Sequence, residues 1–80
     1  MSIRLLFFAG SAQWVSRREL TLPWEGPTTI SALVGRRPEL APIARNRAGL
    51  KAAINEEFAD FNQEVNDGDE IAFLPPVSGG

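Results

Sequence analysis

The chain has no cysteine and no histidine among its 80 residues, so few of its groups are equipped for chemistry. Glu56-Glu57 and Asp67/Asp69 are spaced like paired catalytic carboxylates. Adjacent residues of a strand face opposite ways, however, and the Asp pair belongs to a turn, so both sets read as solvated structure. Lys51, the only lysine, falls on a predicted strand and reads as a surface residue. What remains is the end, Pro75-Pro76-Val77-Ser78-Gly79-Gly80. The prolines favour an extended, outward-pointing backbone. The glycines carry no Cβ, so a narrow channel can close around them. Fully extended, these residues reach roughly 20 Å, at about 3.3 Å each. The reactive group they deliver is the Gly80 α-carboxylate. A free carboxylate does not acylate, because oxide is a prohibitive leaving group; once adenylated it does, with AMP departing. A frayed terminus is the competing reading. Against it, the segment follows the last predicted strand without a linker, so its root is held rigidly.

The bulk composition narrows the setting. Eighty residues make one domain, and 44% hydrophobic with 22% charged residues is the balance of a folded globular chain. A net charge of −2, with no basic run beyond the pairs Arg17-Arg18 and Arg36-Arg37, argues against nucleic acid. The missing Cys and His remove disulfides, thiol nucleophiles, imidazole bases and the usual zinc ligands, so no metal site and a cytoplasmic home are expected. The N-terminal apolar run is too short for a signal sequence or a membrane span.

An arm of this kind needs a scaffold. Ile3–Phe8 reads as a strand with apolar residues on both faces: Ile3, Leu5 and Phe7 on one, Leu6 and Phe8 on the other. Gly10 and Ser11 break the run, and a helical turn is expected at Ala12–Val15. Glu19–Leu22 alternates as a half-buried strand that Pro23 ends. Thr28 or Thr29 is an N-cap for the main helix, whose Ile30, Leu33 and Val34 share one face before Gly35 and Pro38 limit it. A second short helical piece is expected within Glu39–Arg47, then a strand at Leu50–Ile54. Phe58–Val65 reads as a short strand or irregular crossing. Asn66-Asp67-Gly68-Asp69 is the sharpest turn signal, and Glu70–Leu74 the last strand, with Ile71 and Phe73 opposed to Ala72 and Leu74. Trp14 and Trp24 are expected to cover the ends of the core. The fold class is therefore α+β: a β-grasp, ubiquitin-like roll over residues 1–74, a small mixed sheet with one main helix packed across it. The first and last strands lie side by side at its centre, and an extended tail occupies 75–80.

Ala53-Ile54-Asn55, Asp67-Gly68-Asp69-Glu70 and Phe73-Leu74-Pro75-Pro76-Val77-Ser78-Gly79-Gly80 together resemble the small subunits of molybdopterin synthase. Leu5-Leu6-Phe7-Phe8-Ala9 and Thr29-Ile30-Ser31-Ala32-Leu33 fit the same family, whereas Ser11–Arg18 departs from its usual Arg- and Glu-rich first helix. The resemblance implies a sulfur carrier that binds no cofactor itself. A ubiquitin-activating-like adenylyltransferase would use ATP to adenylate Gly80, and a sulfur donor protein would convert it to a thiocarboxylate. The large subunit of a heterotetrameric synthase would take in the tail and pass the sulfur to cyclic pyranopterin monophosphate, giving the dithiolene. It also implies that Phe8, Phe58 and Leu74 dock on that large subunit. Phe8 and Leu74 are out of phase with core-facing Phe7 and Phe73, which favours an interface over the core. Rival readings are a sulfur carrier for thiamine thiazole synthesis, a ubiquitin-like modifier conjugated to lysines, and a binding domain with an idle tail.

Overall fold

A computed structural model describes residues 1–76. Its core is a five-stranded sheet in the order β2-β1-β7-β4-β5, made of β1 (Ser2–Phe7), β2 (Glu19–Pro23), β4 (Lys51–Ile54), β5 (Glu57–Ala59) and β7 (Glu70–Leu74). Thr28–Thr29 (β3) and Glu64–Val65 (β6) form a separate two-stranded pair. The helices are α1 (Gly10–Val15), α2 (Ile30–Arg36) and α3 (Ala41–Arg45), with a single 3-10 turn at Pro38–Leu40 before α3.

The expected centre is found. β1 and β7 run parallel, with Leu5 opposite Ile71 and Phe7 opposite Phe73, and β4 lies antiparallel on the far side of β7. Their inner residues meet the helices in one cluster that includes Ile3, Leu5, Ile30, Leu33, Ile71 and Phe73. Phe7 stacks on Phe73 with ring centroids 5.7 Å apart, an arrangement that adds to the burial of both rings. Thr29 caps α2 as its residue type foretells: its Oγ1 accepts from the Ala32 N–H at 3.1 Å. Trp14 and Trp24 pack against the core margin, and the Trp24 indole N–H donates to the Val65 carbonyl.

Three details depart from the sequence reading. Gly10 and Ser11 do not merely interrupt the chain but open α1. Leu50 is buried yet precedes β4, which starts at Lys51. Glu56 is no strand residue. With Ile54 paired to Glu57, Asn55 and Glu56 form the loop between β4 and β5, at φ values of 51° and 71°. Two successive positive φ values are the signature of the tight hairpin turn that matches strand twist.

Candidate functional site

Because side chains alternate across a strand, the residues between the core positions of the sheet form a second face, and among the described residues no helix lines its groove. Register aligns Leu6 with Ala72, Ala72 with Ala53 and Ala53 with Phe58. Leu74 lies opposite Lys51 on the same face, and Phe8 stands just beyond the end of β1. Phe8, Phe58 and Leu74 thus come together along one groove of about 270 Å³, floored by Leu6, Ala53 and Ala72. Phe8 is 46% exposed and Phe58 77% exposed, so neither belongs to the chain's own core. The groove is apolar in character: among the described residues only Glu56 and Glu70 in its lining ionise, and Glu70 is held by Arg4 at 2.8 Å.

The same sheet holds the root of the tail. β7 lies between β1 and β4: Phe73 is paired on both sides, with Phe7 and Ala52, and Leu74 is paired with Lys51 of β4. The Phe73 carbonyl accepts from the Phe8 N–H at 3.3 Å and from the Ser11 hydroxyl at 3.1 Å. Ser11 is fully buried, and its Oγ also lies 2.7 Å from the Phe8 carbonyl. One hydroxyl proton therefore serves two carbonyls, tying the β1 end that carries Phe8 to the β7 end that launches the tail. Sequence reasoning took Ser11 only as a breaker; its spacing of three residues from Phe8 at a helix start was the available signal.

Beyond Leu74, Pro75 is half-buried and Pro76 exposed. Pro76 lies over Gly49, where an added Cβ would stand 3.5 Å from the proline Cγ. Gly49 takes φ +77 in a turn closed by the Leu50 N–H to Arg47 carbonyl bond at 2.9 Å. The arm therefore leaves the sheet across a bare backbone surface that sequence reasoning had not singled out. Val77, Ser78, Gly79 and Gly80, the tip of the candidate arm, lie outside the described residues.

The opposite end of the groove is pinned by Asn55. Its side chain donates to Asp69 Oδ1 at 2.9 Å and accepts from the Glu70 N–H at 3.0 Å, while its own N–H donates to the Glu70 carbonyl at 2.8 Å. Two separated stretches that caught attention in the sequence, around Asn55 and at Asp67–Glu70, are thus bonded to one another. Asp67, Asp69 and Glu56 serve this corner and its solvent surface.

Comparison with known proteins agrees with this geometry. The ThiS family matches residues 5–80. The molybdopterin synthase sulfur carrier subunit of Escherichia coli K12 is 33% identical over 81 residues, spanning 98% of this chain and 99% of that protein. Among solved structures, SAMP1 from Haloferax volcanii superposes with a TM-score of 0.78 at 30% identity, each chain covered fully (100%). The same fold, at TM-score 0.68 and 23% identity over 100% of both chains, occurs in the complex of subunits 1 and 2 of the molybdopterin-converting factor from Helicobacter pylori 26695. The chain belongs to the ThiS family of β-grasp proteins, of the kind represented by the molybdopterin synthase sulfur carrier subunits.

Proposed function

We propose that this chain carries sulfur to the pterin precursor in molybdopterin synthesis. The observation that carries the reading is the match, along nearly the whole chain and its relative's whole length, to a sulfur carrier subunit of that synthase. The family match running to residue 80 supports it further. In this reading a ubiquitin-activating-like adenylyltransferase joins the Gly80 carboxylate to AMP, releasing pyrophosphate from ATP. A sulfur donor protein then supplies sulfur to the acyl carbon, AMP leaves, and a C-terminal thiocarboxylate remains. Such a group is an anionic, soft nucleophile at neutral pH and needs no cysteine on this chain. The groove of Phe8, Phe58 and Leu74 seats on the large subunit, bringing the arm Pro75–Gly80 into that subunit's active site. There the sulfur passes to cyclic pyranopterin monophosphate. Burying each such aromatic contributes on the order of 1.5–3 kcal/mol to docking.

The test is the intact mass of the chain after co-expression with its activating enzyme. The expected product is heavier by the difference between one sulfur and one oxygen, and trimming Gly80 abolishes the gain while leaving the melting temperature unchanged. An unaltered mass beside a competent enzyme and sulfur donor overturns the reading. One observation favours a second reading: the likeness to SAMP1, a small archaeal modifier protein by name. Covalent adducts of this chain on lysines of many cellular proteins would establish that alternative.

A further inference from the structure

Charge on this acidic chain is sorted along the strand axis. Glu56, Glu57, Asp67, Asp69 and Glu70 collect at the end remote from the tail, where the Asn55 hydrogen bonds join the β4–β5 loop to the 66–69 turn. Arg4, the side-chain cation there, is already shared between Glu70 at 2.8 Å and Glu19 at 3.1 Å. The tail end is the reverse. The Arg18 carbonyl accepts from the Phe7 N–H at 2.9 Å, and Arg17 closes α1 through its N–H to Ala12. Arg47 stands in the turn under Pro76, and Lys51 is opposite Leu74.

All four of these cations are exposed, and among the described residues none forms an ion pair. Arg47 is instead held over the Phe61 ring, 4.3 Å from its centroid. Of the nearby carboxylates, Glu19 is committed to Arg4, and Glu39 pairs with Arg37 while also feeling the charge of Arg17. Asp60 shares a groove with Arg47 and Lys51 and accepts from the Asn62 N–H at 2.8 Å.

These cations bracket the apolar groove. Phe8 lines one depression with Arg17 and Arg18, and Phe58 lines another with Arg47 and Lys51. Arg18 leads into β2 and Lys51 sits on β4, three strand spacings away in the sheet order. At about 4.8 Å per spacing the two flanks stand roughly 14 Å apart. That exceeds the Debye length of about 8 Å at physiological salt, so each flank acts as a separate contact. An apolar strip between separated cations is the wrong shape for a continuous phosphate track, which favours a protein partner.

We infer that the tail end is an electrostatic docking ring for a protein whose arm-receiving entrance is apolar at its centre and rimmed by carboxylates. The inference rests on the reading that the arm enters a partner, and the activating enzyme is the partner it is tested on. The ring has a task beyond affinity. In the proposed reading the arm presents the Gly80 carboxylate, an anion that an acidic rim repels, and the four cations around its root offset that repulsion during approach. Steering of this kind raises association rates by about 10 to 10³ and fades with salt.

The experiment measures association and dissociation rates of the full chain with the activating enzyme by stopped flow, from low to high salt. R18E and K51E together are expected to lower the association rate about tenfold or more at low salt and to flatten its salt dependence. The matched reversal E57K with D67K at the remote end should leave the rate within about twofold or raise it. Equal loss from both pairs, an association rate indifferent to salt, or no complex at any salt overturns the ring. So does retention of the chain on duplex DNA at physiological salt that R18E/K51E abolishes, since the cations would then serve a polyanion. Circular dichroism melts of both pairs, expected to coincide with the parent, separate docking from folding. A chain that binds as described yet gains no sulfur mass overturns the carrier reading and leaves the ring standing.

Discussion

Phe7 and Phe8 are neighbours in sequence, yet one is 3% exposed and stacked on Phe73 while the other is 46% exposed at the mouth of an open groove. The same contrast repeats across the sheet: Phe73 is fully buried and Leu74 beside it is not. A strand spends alternate residues on alternate faces, so one short sequence builds a core and an exposed apolar groove together. A slip of one residue in the β1–β7 register would exchange the two faces. Fixing that register is therefore as important to the groove as the identity of its side chains.

The sharpest test of the contrast is to truncate one aromatic from each face. Phe73→Ala should cost about 3–5 kcal/mol in denaturant unfolding, enough to unfold much of so small a domain. Phe58→Ala should move the same curve by less than about 0.5 kcal/mol, while weakening binding to the large subunit proposed as its partner. Similar losses of stability from both would return Phe58 to the core and erase the distinction. Ser11→Ala comes next, since Ser11 joins the two strand ends at the tail root. Losing a buried hydroxyl shared by two carbonyls should cost roughly 1–3 kcal/mol, and an amide spectrum should place the largest shifts at Phe8 and Phe73. Shifts confined to α1 would show that the two strand ends hold together without it. A smaller effect than at either buried site, and of opposite sign, is expected at Glu56, whose φ of 71° suits glycine better. Glu56→Gly should raise stability by about 0.5–1 kcal/mol by relieving left-handed strain, and a lowered melting temperature would argue against that strain.

The parts of this molecule that were legible beforehand are those written in alternation and in strong local signals. Doubly apolar β1 and β7 announced central strands, Asp67-Gly68 announced its turn, and Thr29 announced a cap that its hydrogen bond bears out. The groove followed from the same alternation, because Phe8 and Leu74 are out of phase with the core. The hairpin at Asn55-Glu56 was not legible, since its second residue is a glutamate where such turns favour glycine. The β3–β6 pair is only two residues per strand, too short for any period to register. Ser11 and Gly49 matter through partners 62 and 27 positions away, Phe73 and Pro76, which no local pattern encodes.

The placement of β7 has a mechanical consequence. Its ladder to β1 is parallel and its ladder to β4 antiparallel, and both run alongside the strand that continues into the arm. Tension applied to the arm along the strand axis would load those hydrogen bonds in shear, all sharing the force, rather than peeling them off one after another. A partner that gripped the arm, as proposed above, would pull against the middle of the sheet, where yielding requires both ladders of β7 to give way together.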